Sequence, residues 1–300
     1  MSKPSPSRGA LVAAFAAIYV VWGSTYLGIA VALESLPPFT LAAFRFLVAG
    51  GALSIWALSR GAPWPSTRQL GMTVLLGFLF LVIGNGAVVW AEQRVPSGLA
   101  SLLVAVTPIW TALAIWALPG GRAPTGGMIL GLVTGFVGTA LLVAPGTLGG
   151  TPVDPAGAVA LNLASLSWSL GSVLTPRLDL PRSGPLSAGL QMLSAGVMLF
   201  LLALVTGDLA RFDPAAVTLR SFAALAYLTV FGSLVAFSAF AWLLQVSTPA
   251  RLSTTSYVNP IVAVFLGWLL ASEPVSVRTF VAGALIVGAV AVIVTVRSRR

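Results

Sequence analysis

The sequence predicts an all-α membrane protein in which ten transmembrane helices form two inverted five-helix repeats. Three observations lead to this fold class: the composition, a proline-centred helix that occurs twice, and the distribution of basic residues among the loops. The chain is 58% hydrophobic and only 8% charged, with a mean hydropathy of +1.00. A domain with a polar, water-exposed surface does not have this composition, so the chain is predicted to cross a bilayer several times.

The proline-centred helix lies at residues 95–118, where an apolar stretch carries Pro108 near its middle. A proline inside a helix removes one amide donor and displaces the carbonyl of the fourth residue before it, here Val104. We therefore expect a bent segment whose released carbonyl oxygens are satisfied by neighbours or water. The same design recurs at 248–271, where Pro260 takes the matching position.

The two prolines are separated by 260 − 108 = 152 residues, and the same offset relates other pairs. These pairs are Ser101/Ser253, Trp90/Trp242, Gln93/Gln245 and Gly131/Gly283. In the first two helices of each half the offset is 146, which relates Trp22 to Trp168. The chain is thus predicted to be a tandem repeat, with residues 1–148 as the first unit and residues 149–300 as the second.

Apolar windows of about 20 residues, the length that crosses the hydrocarbon core, number five in each half. They fall near 11–33, 39–58, 70–91, 97–117, 127–144, 156–174, 185–206, 219–243, 249–270 and 278–296. The segment before the first window is too short and too rich in proline for a signal peptide, so this window is expected to remain as the first helix.

Loop charges test this count independently, because basic residues are enriched on the cytoplasmic side. With the N-terminus inside, eleven of the sixteen basic residues fall inside and four outside, the remaining one being Arg45 within a span. Both termini are therefore predicted to be cytoplasmic and the 145–155 loop to be outside. Because five is odd, the second repeat enters from the opposite side, and inverted repeats are an architecture of transporters.

The absence of cysteine and histidine excludes thiolate or imidazole metal sites, disulfides and catalysis by a Cys nucleophile or a His base. We expect no cofactor and no enzymatic activity. The net charge of +9 lies in loops and at the C-terminus rather than on a basic face, which argues against nucleic-acid binding. No acid lies in the middle of a span, so uniport or exchange is favoured over a buried proton carrier, although Glu92 could titrate.

Several short motifs carry a family resemblance: WGSTYLGIA at 22–30, FRF at 44–46, and the proline-centred TPIW and NPIV. Together with the ten-helix hydropathy, they resemble the EamA branch of the drug/metabolite transporter superfamily, and within it bacterial exporters of aromatic and other amino acids. The resemblance implies a basket-like bundle in the bacterial inner membrane. It also implies that helices 1, 3, 4, 6, 8 and 9 surround a central cavity while helices 5 and 10 stay peripheral.

Polar and aromatic residues on the helices that the resemblance places around the cavity are the candidates for substrate binding. Asparagines within spans either bond to neighbouring helices or hold a substrate carboxylate or amine, and the aromatic rings either pack in the core or stack on a substrate ring. The candidates are Trp22, Asn85, Trp90, Trp110, Asn162, Trp168, Trp242, Tyr257 and Asn259. Trp56, Trp64, Trp116 and Trp268 lie toward span ends and are assigned to the membrane interface.

Arg45 is the one charged residue deep within a span. We expect it to extend outward and pair with Glu34 or Glu92, and contact with an anion in the outer vestibule is the alternative. Pro108 and Pro260 are predicted gating positions, at which helices 4 and 9 bend. Glycines on helices 5 and 10 favour close packing within one chain over a dimer seam, so a monomer is expected and a dimer stays open.

These observations predict a secondary transporter that exports amino acids, including aromatic ones, by alternating access. An uncharged polar centre with aromatic walls suits a small zwitterion that carries compensating charges. Other small cargo such as sugars, nucleotides or aromatic cations is the alternative within the same class. A membrane binding protein without transport is the alternative of another class, and an intramembrane enzyme lacks the required acids and nucleophiles.

Overall fold

The structure, a computed structural model, describes residues 7–118, 123, 125–144, 153–247, 252 and 254–298, with the backbone alone at 257, 293, 294 and 296–298. Across these residues it is helical without strands. The ten principal helices are α1 (Arg8–Ala32), α2 (Pro38–Ser59), α3 (Thr67–Ala91), α4 (Ser97–Ala117), α5 (Gly126–Val143), α6 (Pro155–Arg177), α7 (Gly184–Val205), α8 (Leu219–Val246), α9 (Thr255–Ala271) and α10 (Val277–Ser298).

Helices α1 to α8 are each long and apolar enough to cross a bilayer, and α9 and α10 contain shorter apolar segments. Each of the ten predicted windows coincides with one of these helices, although the beginning of the ninth window lies outside the described residues. The prediction of an all-helical, multi-pass membrane protein is confirmed.

Local sequence explains where several helices begin. Helix α3 starts with a capping box, in which Ser66 Oγ accepts from the Gln69 amide and the Gln69 side chain accepts from the Ser66 amide. Helices α2 and α6 carry a proline at their first position, where the missing amide donor costs no hydrogen bond. Asp154 caps α6 by accepting from the Ala156 amide.

Helix α2 packs along α7, and α5 packs along α10. Glycines allow the first pair to approach backbone to backbone, since a Cβ at Gly50 would lie 2.3 Å from the Leu193 amide nitrogen. In the second pair, a Cβ at Gly138 would lie 2.8 Å from the Ile286 side chain. These contacts agree with the predicted role of helix glycines in close packing within the chain.

Three helices contain π-helical segments: Ala17–Val21 in α1, Phe78–Asn85 in α3 and Leu228–Phe237 in α8. In each segment, a backbone carbonyl lies within hydrogen-bond distance of a side chain from the other half of the chain. These side chains supply donors to carbonyl groups that the irregular winding leaves without a regular partner in the helix. Ser167 Oγ donates to Leu79 O over 2.7 Å, and Trp22 Nε1 donates to Gly232 O over 3.2 Å. The Asn259 carboxamide, with its nitrogen turned toward α1, donates to Ile18 O at 3.2 Å.

Helix α4 is interrupted just before Pro108, and its two pieces are Ser97–Val104 and Thr107–Ala117. The released carbonyl of Val104 accepts from Thr107 Oγ1 over 2.6 Å and lies 3.3 Å from Ser165 Oγ on α6. The predicted displacement of this carbonyl is therefore confirmed. Pro260, in contrast, lies inside the continuous helix Thr255–Ala271.

The close approach of α2 and α7 makes a specific prediction about two adjacent glycines. Gly50→Ala should lower the thermal stability of the detergent-purified protein, because the added methyl group meets α7 backbone and overpacking costs about 1–3 kcal/mol. Gly51→Ala is the matched control, since a Cβ there would meet nothing within 4 Å. Equal melting temperatures for the two variants would contradict this packing.

Candidate functional site

A central cavity of about 130 Å³ lies between seven helices drawn from both halves of the chain. Its lining includes residues of α1, α2, α3, α4, α6, α8 and α9, and among the described residues α5, α7 and α10 contribute none. The arrangement implied by the family resemblance is thus observed, with α2 as an addition. Five of the predicted site residues line the cavity, namely Trp22, Asn85, Trp168, Asn259 and Pro260.

An aromatic cluster closes one end of the cavity. The rings of Trp22 and Trp168 meet edge to face with centroids 5.4 Å apart, and Phe240 lies 5.0 Å and 5.2 Å from them. Phe80 packs on Trp168 at 4.9 Å. Gly171 leaves space for the Phe80 ring, since a Cβ there would lie 2.8 Å from it. Offset and edge-to-face geometry of this kind stabilises the cluster beyond simple area burial.

A second, much smaller pocket of about 10 Å³ lies beyond this cluster. Phe80 and Phe240 line the small pocket, Trp22 and Trp168 line the large cavity, and Phe237 lines both. The small pocket also includes Thr175 and Leu180, which belong to the end of α6 and the connection that follows it. The aromatic cluster therefore lies between the two spaces.

Most hydroxyl groups in the cavity wall are already used within their own helices. Thr25 Oγ1 donates to Trp22 O, Ser101 Oγ to Gly98 O, and Thr107 Oγ1 to Val104 O, each three residues back along the chain. Such local bonds are ordinary for Ser and Thr in helices. These side chains shape the cavity without presenting a free donor to a ligand.

Two buried polar atoms of lining residues have no hydrogen-bond partner among the described residues: Arg45 Nη1 and Asn85 Oδ1. One is a donor on a cationic group, and the other is a neutral acceptor. Asn85 therefore remains a candidate for ligand binding, because its carboxamide oxygen has no partner among the described residues and the residue lines the cavity. Buried polar atoms without partners are unusual, so a water molecule or a ligand is the expected partner of each.

Arg45 does not extend outward as expected. Its side chain is 4% exposed, Nε donates to Ser233 Oγ over 2.8 Å, and the guanidinium lies against α8 where a Cβ at Gly232 would come within 2.8 Å. The expected partner Glu34 pairs with Arg220 at 3.4 Å instead. The missing Cβ of residue 232 gives the guanidinium a place inside the bundle, so the predicted outward pair is wrong.

Two acids lie at the same end of the bundle as the start of α4. The Glu273 carboxylate accepts from the amides of Ser97 and Gly98 at 2.8 Å and 2.9 Å, which caps α4 from the other half of the chain. Glu92, which follows the last residue of α3, is buried, and neither carboxyl oxygen has a hydrogen-bond partner among the described residues. Burial and the nearby charge of Glu273 raise the pKa of the Glu92 carboxyl well above its usual value, against the opposing effect of Arg45.

The remaining predicted residues lie elsewhere. The Trp90 ring lies under the Arg94 guanidinium at 4.3 Å, and the Trp110 ring packs on Phe136 of α5 at 5.7 Å. Asn162 Nδ2 donates to Ala158 O over 3.0 Å within its own helix. Trp242 packs against the hydrophobic core, Pro108 is buried outside the cavity lining, and the side chain of Tyr257 lies outside the described residues.

The sequence predicts Arg45 as the partner of an outward acid, with contact to an anion in the outer vestibule as the alternative, and not among the substrate-binding residues. A signal was present, because a lone charge deep in a span is a functional position by default. What the sequence did not reveal is that glycine on α8 lets the guanidinium lie in the cavity wall.

A multi-pass helical bundle that encloses a central cavity is the architecture of a membrane transporter. Comparison with known proteins identifies the family, because the EamA-like transporter family matches residues 7–144 and 155–295. The chain belongs to this family. It is a multi-pass inner-membrane protein, and its family consists of transporters rather than enzymes.

Individual relatives agree with this assignment. The chain is 38% identical to the uncharacterized inner membrane transporter YedA of Escherichia coli K12, over 94% of this chain and 90% of that protein. It is 30% identical to protein PecM of Dickeya dadantii, over 90% of this chain and 85% of that protein. It is also 24% identical to a probable amino-acid metabolite efflux pump of Escherichia coli K12, over 90% of this chain and 89% of that protein. A crystal structure at 23% identity and a TM-score of 0.66 covers 98% of this chain and all of its own, which shows the shared fold.

The environment of Glu92 predicts a pH-dependent stability. The ionisable groups near it are Tyr26 on α1, Arg45 on α2 and Glu273 after α9. A raised pKa means that the folded protein binds the proton more tightly, so stability falls as the pH rises from about 4.5 through the raised value and then levels off. Glu92→Gln should remove most of this fall, measured as melting temperature against pH.

The matched control for this measurement is Glu34→Gln, since Glu34 is half-exposed and paired with Arg220 at the surface. The control should keep the wild-type profile. An undiminished fall in the Glu92→Gln variant would show that another group causes the dependence.

Proposed function

We propose that the protein is a secondary transporter that exports amino acids, including aromatic ones, and similar small metabolites across the inner membrane by alternating access. In this proposal the chain has ten transmembrane spans in two inverted repeats, both termini are cytoplasmic, and one chain forms the transport unit. The large cavity then binds the substrate, and the aromatic cluster separates it from the cytoplasmic side.

The observation that carries the proposal is the relation between the two pockets. The repeat offset of 146 relates Ile29 and Arg45 of the large cavity to Thr175 and Gln191 of the small pocket. The offset of 152 relates Asn85 and Val88 to Phe237 and Phe240, which also line the small pocket. Two pockets built from equivalent positions, one open and one nearly closed, are what an inverted-repeat carrier has in either of its two states.

Further equivalences support the repeat. The π-helical segments Phe78–Asn85 and Leu228–Phe237 end at residues related by 237 − 85 = 152. The repeat-related Trp22 and Trp168 contact each other, as residues beside a two-fold axis do. Gating by Pro108 and Pro260 stays a prediction of this arrangement, in which α4 and α9 bend at opposite faces.

The chemistry of the cavity favours a small polar solute with an apolar body. A volume of about 130 Å³ corresponds to roughly ten water molecules, which is room for a small solute such as an amino acid. The wall offers the tryptophan rings, and its described residues include a buried guanidinium nitrogen and a buried amide oxygen without hydrogen-bond partners. The relative named as a probable amino-acid metabolite efflux pump supports the same class of cargo.

Transport in liposomes that contain only this protein tests the cargo. We expect counterflow of several amino acids with modest discrimination, because a methylene in an apolar pocket changes binding by only about 1–3 kcal/mol. Trp168→Ala and Asn85→Ala should reduce flux severalfold, whereas Trp56→Ala, a half-exposed tryptophan outside the cavity lining, should not. Competition by sugars, nucleotides or aromatic cations but not by amino acids would overturn the proposed amino-acid cargo. Binding of a solute without flux would overturn the proposed transport activity.

Single cysteines test the topology, because the native chain has none. An impermeant maleimide added to intact spheroplasts should label the Ala215→Cys variant, whose position is exposed in the connection between α7 and α8. The Lys3→Cys variant should react only after permeabilisation. Labelling of the Lys3→Cys variant from outside would reverse the orientation and remove the basis for export.

A further inference from the structure

The buried guanidinium of Arg45 is the strongest unexplained feature of the cavity. It is 4% exposed, and among the described residues its hydrogen-bond partner is Ser233 Oγ, which accepts from Nε at 2.8 Å, while its guanidinium carbon lies 5.0 Å from the Phe46 ring centroid. Its Nη1 has no partner among the described residues, and Arg45 forms no ion pair within them. A cation held in this way at membrane depth is costly unless an anion meets it during function.

A purely structural role does not account for this geometry. The neighbouring Gly232 carbonyl already accepts from Trp22 Nε1, and the Thr25 hydroxyl donates within its own helix. Glu92, whose charge acts on Arg45, lies outside ion-pair distance, so the cation–π contact of Arg45 with Phe46 is not joined by an anion among the described residues. Among the described residues that line the cavity, Arg45 is the one charged group.

Asn85 supplies the complementary group. Its Oδ1 also lacks a partner among the described residues, and both side chains line the same cavity. A carboxylate is the acceptor that a guanidinium binds most strongly, and an ammonium is a donor that an amide oxygen can accept.

We propose that Arg45 is the carboxylate-binding residue of the cavity, that Nη1 donates to the carboxylate of the cargo, and that Asn85 Oδ1 accepts from its amino group. This inference rests on the proposed function and narrows its class of substrates, because the cargo must carry a carboxylate. The amino group of the cargo then contributes less to binding than the carboxylate does. Ser233 and Gly232 are then positioning residues, which hold the guanidinium in the wall.

A ligand series of constant shape tests the proposal on the unaltered protein. Leucine carries both charged groups, 4-methylpentanoate only the carboxylate, isoamylamine only the amine, and leucinamide the amine with an uncharged amide in place of the carboxylate. Binding to the detergent-purified protein can be followed by tryptophan fluorescence, because Trp22 and Trp168 line the cavity. Leucine and 4-methylpentanoate should bind about tenfold or more tightly than isoamylamine and leucinamide. Equal binding of leucine and leucinamide would overturn the assignment.

Variants identify the residue responsible. Arg45→Gln should weaken leucine about tenfold or more and abolish the preference for leucine over leucinamide, and Arg45→Lys should restore part of that preference because it keeps the charge. Arg220→Gln removes a surface arginine and should behave as wild type. Unchanged leucine binding in a folded Arg45→Gln variant would overturn the proposal, and the ligand series on the native protein decides it should that variant not fold.

The outcomes separate this inference from the proposed function. Binding of 4-methylpentanoate without binding or counterflow of leucine would leave Arg45 as a carboxylate site and overturn amino-acid export. Counterflow of leucine that is equally rapid in wild type and Arg45→Gln would keep amino-acid export and overturn the role of Arg45. Binding of isoamylamine alone would overturn both.

Discussion

Backbone carbonyl groups that irregular helices release inside a hydrocarbon environment are the constraint on which this structure depends. A bilayer core offers no water to satisfy them, so a side chain from a neighbouring helix must. Here the side chains come from the opposite half of the chain: Ser167 to α3, Asn259 to α1, Trp22 to α8 and Ser165 to α4. The two halves are thereby held together at the positions where each helix departs from regular winding.

These irregularities also create the cavity. A π-helical segment inserts extra residues and changes the direction of the side chains that follow, and a proline break allows two short helices to diverge. Asn85 ends such a segment, and Thr107 and Val104 flank the break in α4. All three line the cavity. The same irregular segments therefore provide both the hydrogen bonds between the two halves and part of the lining of the cavity.

Features that follow from composition or from proline geometry could be predicted from the sequence. Which residues face the cavity depends on the rotation of each helix about its axis, and this was predicted less well. Hydropathy located the helices, and Pro108 located the released carbonyl of Val104. Trp90 was a candidate because its helix was expected beside the cavity, but its ring lies under Arg94 and outside the lining, since side chains on one helix point in different directions. The position of Arg45 depended on a glycine 187 residues away, which no local pattern reveals.

The two halves of the proposed repeat differ in their charges. The repeat offset relates Arg45 to Gln191, which lines the small pocket and donates from Nε2 to Ser187 Oγ at 3.2 Å. A carrier built from two identical repeats would present the same chemistry to both sides of the membrane. Among the described residues, a cation, Arg45, lines the larger pocket, and none lines the smaller one. In the proposed transport cycle, a carboxylate that passes between the pockets exchanges a charged partner for an uncharged amide, so this proposal attributes the polarity of the path to side chains rather than to the fold.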